Sequence, residues 1–417
     1  MSATEWPGST ADEFPNSAET ITNASSSRCS VITSYSDVRS LPPRVGVLDF
    51  HPIQYRAPLY QRLASRGRIQ LDVLYLRDAG YRPTMDSGFG VVVAWDIDLL
   101  SGYEHSFLDV GGRLARRSSI VGRLTRWLRS HDVVIIHGHS DVWMLFATVA
   151  CRAMGVPYLL RGDSAAEGRA TGIRRRIRDR LAHAVVSGSA GGLAIGKLNH
   201  DFYQKYGAHR IVFAPFSVDN DRFADSPTIG RSELLARWGL GDAAPVLMFC
   251  GKLSAHKRPL DLMAAVNCIE DRVNTIVVGD GVLAARVRAA LRPGCGVVTG
   301  FVNQADLPQY YHAADILVLP SSHEPWGLVI NEAMAAGALP VVSDRVGAAP
   351  DLVYGIGEVY PCGDITALAS ALHSALRRLG DPEVSDLMRR RISQYSIDAT
   401  AAGFEQAALA VTVLPYR

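Results

Sequence analysis

From residue 44 onward, short apolar runs bounded by polar loops alternate with stretches that carry the three-to-four-residue spacing of amphipathic helices. The runs at 44–50, 70–76, 91–95, 133–137, 157–161, 184–187 and 211–214 predict strands in the first half. Those at 246–250, 275–279, 316–319, 339–343 and 358–360 predict strands in the second. Helical spacing begins at 59–65 and continues at 142–154, 191–206, 307–314, 327–336, 364–379 and 397–413. Gly337 suits the position just past the helix at 327–336, where a left-handed residue closes the last turn. Strands alternating with helices imply an α/β architecture built on parallel, doubly wound sheets.

The length changes this picture in one respect. At 417 residues the chain exceeds what a single core usually covers, so two domains are expected. A hydrophobic share of 48% and a charged share of 20% fit a globular chain with a sizeable core. The formal net charge of +2 gives no bulk attraction to nucleic acid, and nucleic acid is not an expected partner. No segment has the uninterrupted apolar length of a membrane span. Cys29, Cys151, Cys250, Cys268, Cys295 and Cys362 have neither metal-ligand nor paired spacing and predict buried, reduced thiols, which fits a cytoplasmic location. Residues 1–43 are rich in Ser, Thr and Asn, lack a signal-peptide apolar core, and predict a disordered tail.

Candidate chemistry concentrates between Ile316 and Val353. Here an apolar strand leads through Ser321-Ser322-His323-Glu324-Pro325 into a helix that begins at Trp326-Gly327-Leu328. The carboxyl edge of such a strand is where open α/β sheets bind ligands, and a helix start offers free N–H groups to an anion. A carboxylate beside an anion site suits ligand hydroxyls, because it accepts two hydrogen bonds at once. Glu324 and Glu332 are placed for that. In a second strand-to-helix loop, at 251–259, Lys252 and Lys257 lie near Gly251, an arrangement suited to a diphosphate.

Glu324, seven residues, then Glu332, with Pro-Trp-Gly-Leu after the first and Ala-Met-Ala-Ala-Gly after the second, resembles the E-x7-E signature of glycosyltransferase family 4. That resemblance covers roughly residues 44–410 and is most specific in the carboxyl half. It implies the GT-B fold, two Rossmann-like domains facing across a cleft. It sets an amino-terminal acceptor-side domain at 44–215, a nucleotide-sugar domain at 216–395, and a last helix at 396–417 crossing back to the first domain. It implies transfer of a sugar from a nucleotide diphosphate sugar to a hydroxyl acceptor (a glycan, a lipid-linked molecule or a small metabolite), with retention at the anomeric carbon. Lys252, Lys257 and the helix start at Gly327-Leu328 would hold the leaving diphosphate. Glu332 would hold the ribose, and Glu324 a donor-sugar hydroxyl. Phe301 and Val302 would line the base, with Trp326 also on the donor side. These groups supply the positive charge that the leaving group needs, so neither cofactor nor metal is expected. The alternatives are a non-catalytic nucleotide-sugar-binding protein and a nucleotide-sugar epimerase on the same fold.

In the amino half, the loops after three apolar strands carry Gln54, His137 with His139, and Arg161 with Asp163. His137 and Asp163 are candidate catalytic groups for proton transfer, and Gln54, His139 and Arg161 candidate acceptor contacts. This half departs from the family pattern. The loop at 51–55 has no glycine pair, and Arg161 and Asp163 stand where many members have a histidine. Asp96-Ile97-Asp98 matches a three-residue metal pattern far from any nucleotide signature. Two basic segments, with Arg113, Arg116, Arg117, Arg123, Arg126 and Arg129, then Arg174, Arg175, Arg176, Arg178 and Arg180, are either solvated helix faces or peripheral contacts with the inner face of a membrane.

Overall fold

A computed structural model of the chain describes residues 41–79, 81–86, 88–108, 117–139, 141–165 and 172–413. Residues 1–40 of the tail expected over 1–43, Cys29 among them, and Arg113 and Arg116 of the first basic segment lie outside the described residues.

Two all-parallel sheets organise the chain. The amino-terminal sheet has seven strands in the spatial order Glu104–Phe107, Gln70–Tyr75, Arg44–Asp49, Val133–His137, Tyr158–Arg161, Gly191–Ala194 and Ile211–Phe213. The carboxyl-terminal sheet has six, in the order Gly296–Gly300, Asn274–Val278, Val246–Cys250, Ile316–Leu319, Leu339–Ser343 and Glu358–Tyr360. Both sheets are covered on their two faces, as near-continuous apolar strands require. In Val133–His137 successive residues divide between two cores: Val133 and Ile135 join Val47, Tyr60 and Leu63, whereas Val134 and Ile136 join Leu124, Leu128 and Met144.

In each sheet the chain reverses its direction of growth once. The reversal falls between Arg44–Asp49 and Val133–His137 in the first sheet, and between Val246–Cys250 and Ile316–Leu319 in the second. Loops leaving the carboxyl ends of such strand pairs diverge and open a crevice. The loops carrying Gln54, Lys257 and Glu324 leave from these two points.

The connection between the sheets is double. Residues 214–218 run across first, and Val218 pairs with Ser396 on the return. Helix Ile397–Val413 then packs Ala401, Phe404, Ala407, Ala408 and Val411 into the first domain's core. Its buried Glu405 accepts from Arg66 Nε at 2.8 Å.

Several boundaries differ from expectation. Residues 184–187 are the last turn of helix Gly172–Ser187, and the strand follows at Gly191–Ala194. Its two glycines hid it: a Cβ on Gly191 would stand 2.9 Å from the Arg210 carbonyl oxygen, and one on Gly192 would stand 2.6 Å from the Tyr203 ring. Close packing, with no side chain to show it, is what these positions encode. Val91–Val93 is a strand outside the parallel sheets. It pairs antiparallel with Thr84–Asp86 in a separate two-stranded ribbon. The edge strand Glu104–Phe107 is half-exposed and has little apolar signal. Of the cysteines, Cys151 and Cys250 are buried and Cys268 is exposed; Cys295 and Cys362 are intermediate, and all five are free thiols.

Candidate active site

The carboxyl-terminal wall of the crevice is built from one local turn. Strand Ile316–Leu319 ends the buried run, and the chain loops back so that Gly347 N donates to Glu324 O at 2.8 Å. Gly327 then takes φ of +103°, and helix Leu328–Ala335 begins. A Cβ there would meet Leu319 Cδ2 at 3.0 Å and Glu324 Cγ at 3.2 Å, so glycine serves both the backbone angle and the space. Trp326 is 4% exposed; its Nε1 donates to Asn331 at 3.0 Å, and Asn331 Nδ2 to the Phe216 carbonyl at 3.2 Å. The helix start is thereby fixed to the linker.

Lys257, in the other loop of the reversal point, forms an ion pair with Glu324 Oε2, which also accepts from Ser321 Oγ at 3.4 Å. About one turn into the helix, Glu332 is buried and accepts from Tyr311 Oη at 2.5 Å. Burial raises its carboxyl to about 7, against the lowering effects of the Tyr311 hydrogen bond and the Arg222 charge.

These groups line one cavity of about 350 Å³, shared between the domains. Glu324, Trp326, Gly327, Leu328, Glu332, Phe301, Val302 and Lys257 form its carboxyl-terminal side; Gln54 and Asp163 come from the amino-terminal side. A second cavity, of about 750 Å³, opens beyond Glu324 and shares Asp163 and Glu324 with the first.

Four predicted residues lie elsewhere. Lys252 donates to Asp86 at 2.8 and 2.9 Å, outside the cavity lining, because a carboxylate of the ribbon reaches it first. His137 is 2% exposed, in a buried polar layer beneath the loop at 51–56. There Tyr60 Oη donates to Asp49 at 2.7 Å and lies 3.2 Å from His137 Nε2, while Arg56 pairs with Asp49. Burial, opposed by the Asp49 charge, holds the His137 imidazole well below its ordinary value. It does not line the cavity. Burial would raise Asp49, but the Arg56 and His137 charges and the Tyr60 hydrogen bond hold it below the usual carboxylate range. His139 stacks on Phe202, with ring centroids 5.7 Å apart, and does not line the cavity.

Arg161 is 3% exposed and binds the linker: it donates to Ala214 O at 2.6 Å and Pro215 O at 3.1 Å, and its guanidinium lies between Phe216 and Phe404. Burial, reinforced by the charge of Arg56, lowers it to about 9.

Conversely, Tyr55, Phe89, Trp95, Phe216 and Gln304 line the cavity and were not expected there. Trp95 ends an apolar run and carried an available signal; Phe89 lies in a glycine-flanked turn and carried none. Among the described residues no group of three or more His, Cys, Asp or Glu forms a metal-type cluster. Asp96 accepts from Ala305 N at 3.0 Å, and Asp98 from Leu100 N and Ser101 N, both at 3.1 Å.

Two facing parallel-sheet domains with a shared cleft define a GT-B protein. Within the second domain, residues 244–378 match the family described as "Glycosyl transferases group 1". D-inositol 3-phosphate glycosyltransferase of Xylanimonas cellulosilytica is 35% identical over 160 residues, covering 35% of this chain and 38% of that protein. GDP-mannose-dependent alpha-mannosyltransferase of Mycobacterium tuberculosis is 28% identical over 270 residues, covering 61% and 68%. In structure, Anabaena Alr3699/HepE in complex with UDP gives a TM-score of 0.69 at 16% identity, covering 89% of this chain and all of that one.

Proposed function

We propose that this chain is a glycosyltransferase that moves a sugar from a nucleoside diphosphate sugar to a hydroxyl acceptor, with retention and without a metal. The observation that carries this reading is the joint placement of Lys257, Glu324, Glu332 and the helix start at Leu328 on one cavity that Gln54 and Asp163 close from the other domain. The names of the similar proteins support the donor class, since one is GDP-mannose-dependent and one was solved with UDP.

As the bond from the anomeric carbon to the diphosphate oxygen breaks, negative charge gathers on the leaving group. The Lys257 ammonium and the N–H groups at the helix start stabilise that charge where it develops. The acceptor hydroxyl attacks from the same face, and its proton passes to the departing phosphate oxygen. Glu324 orients a donor-sugar hydroxyl, and Glu332 accepts from the ribose. Asp163, on both cavities, faces the acceptor, and Gln54 lies on the same side.

Of the two basic segments, Gly172–Ser187 supports peripheral membrane contact at the inner face of a cytoplasmic membrane. Ile173, Ile177 and Leu181 are 73%, 62% and 44% exposed along one stripe of this arginine-rich helix. By contrast, Arg117–Arg129 buries Ile120, Leu124 and Leu128 in the core. No helix among the described residues is long and apolar enough to cross a membrane.

A panel of UDP-, GDP- and ADP-sugars, followed by thermal shift and calorimetry with and without EDTA, tests the donor site. Chelator-insensitive binding of one nucleotide, with transfer to a hydroxyl acceptor and a retained anomer by NMR, is expected. Failure of every nucleotide to bind sinks the reading, and an inverted product sinks its stereochemistry.

A further inference from the structure

The ribbon of Thr84–Asp86 and Val91–Val93 belongs to neither large sheet, and two three-residue strands do not hold together by themselves. Met85 and Val92 on it are exposed, so the ribbon has little core of its own. It is held from the other domain instead. Lys252 Nζ grips both oxygens of Asp86 and lies 5.0 Å from the Phe89 ring centroid. Asn303 Nδ2 donates to Ala94 O at 2.7 Å, just past the second strand. Phe89 meets Phe301 edge to face at 5.0 Å, and Trp95 lies 6.4 Å from the same ring.

Phe89, Trp95 and Phe301 line the cavity that also holds Lys257, Glu324 and Glu332. The three rings cluster around Phe301, while Lys257 pairs with Glu324. A sugar diphosphate needs the charges, whereas a nucleobase presents a flat π-face that stacks on aromatic rings.

We propose that the ribbon is a strap that the amino-terminal domain lays over the base end of the donor cavity. In it, Phe89 and Trp95 are base-contacting residues that select the nucleotide, and the Asp86–Lys252 pair is the clasp. This rests on the donor reading above. It also gives Lys252 work other than holding the diphosphate, and makes donor choice a property of both domains.

Calorimetry on the full chain, with UDP, GDP and ADP directly and inorganic pyrophosphate by competition, separates the base from the phosphates. Phe89→Ala should weaken the preferred nucleoside diphosphate by about 10-fold or more, the scale of losing one base–aromatic stack. Pyrophosphate should stay within about twofold, because the charged end is untouched. Phe89→Leu, which keeps apolar volume against Phe301 but removes the π-face, should show the same selective loss, and Phe89→Tyr should restore binding. If Phe89→Leu binds the nucleotide like wild type, or loses nucleotide and pyrophosphate equally, the strap is overturned. In that case nucleotide binding that still depends on Lys257 leaves the donor reading standing. A wild-type chain that binds no nucleoside diphosphate overturns both.

Discussion

The two walls of the cavity are built by opposite strategies. On the carboxyl-terminal wall, Glu324, Trp326, Gly327, Leu328 and Glu332 come from one stretch of nine residues, placed by a single strand, turn and helix, with Lys257, Phe301 and Val302 joining from two other loops. On the amino-terminal wall, Gln54, Tyr55, Phe89, Trp95 and Asp163 are scattered over more than one hundred residues. The loop bearing the first two rests on a buried layer of Asp49, Arg56, Tyr60 and His137 that the cavity does not touch. A local wall keeps its chemistry in its motif. A dispersed wall spends its most conspicuous polar residues on support. On this view, charged residues of the two walls differ in what their loss does: chemistry on one side, folding on the other.

The largest effect separates the walls most sharply. Lys257→Ala removes the cavity's ammonium and should lower transfer on the order of 10²–10³-fold, the scale of losing one preorganised electrostatic donor. Steady-state kinetics with the bound donor reads this directly, and near-wild-type turnover would deny Lys257 its place at the leaving group. Arg161→Met should do the reverse. It leaves the Ala214 carbonyl without its buried donor, at about 1–3 kcal/mol of stability, while Pro215 O keeps the Thr400 hydroxyl at 2.8 Å. Donor affinity should hold while the denaturation midpoint falls. An unchanged midpoint with a raised acceptor KM would return Arg161 to the acceptor and break the comparison.

How much was legible in the sequence follows the same divide. Most strands of both sheets rest on apolar runs that are visible as such, Glu104–Phe107 and Gly191–Ala194 being exceptions, and the Glu324 to Glu332 stretch names its residues because its geometry is local. Lys252 and His137 were conspicuous for the right reasons, a lysine near a glycine and a histidine at a strand end. Their fates depend on Asp86 and Asp49, partners 166 and 88 positions away in sequence by subtraction of residue numbers. No local pattern holds that information. Gly191 and Gly192 hid a strand for a related reason: their function is to admit Arg210 and Tyr203, which only the fold brings near.

Glu332 offers a smaller and pH-dependent effect on the local wall. Its folded-state value is raised to about 7, above the ordinary 4.5. Its contribution to stability is therefore fully present below the unfolded value and is lost as pH rises from about 4.5 through 7. Glu332→Gln cannot ionise, so it should gain on the wild type across that window and hold a constant lead above it. Thermal denaturation of both proteins from pH 4 to pH 8 measures the gap. A gap independent of pH would mean that Glu332 is already ionised in the folded chain, and that burial against Tyr311 is weaker than its geometry implies.

The smallest effect concerns Asp96 and Asp98, two residues just past Trp95 of the dispersed wall, whose spacing resembles a metal motif. Both carboxylates already have backbone partners: Asp96 takes the amide of Ala305 across the cleft, and Asp98 closes the turn at Leu100 and Ser101. The Asp98 carboxyl is held below its usual range by the Ser101 hydroxyl and the two amides, with solvent at hand to replace them. Losing such an exposed turn cap costs on the order of 1 kcal/mol or less. Asp98→Asn should therefore lower the denaturation midpoint slightly, leave turnover near wild type, and leave both proteins equally indifferent to EDTA. A metal bound by this pair would give the opposite pattern: a large loss of turnover in the variant, matched by chelation of the wild type and restored by one divalent ion. That result would move an electrostatic role from Lys257 to the amino-terminal wall, and the division between a chemical wall and a supporting one would fail at the residue where it predicts least.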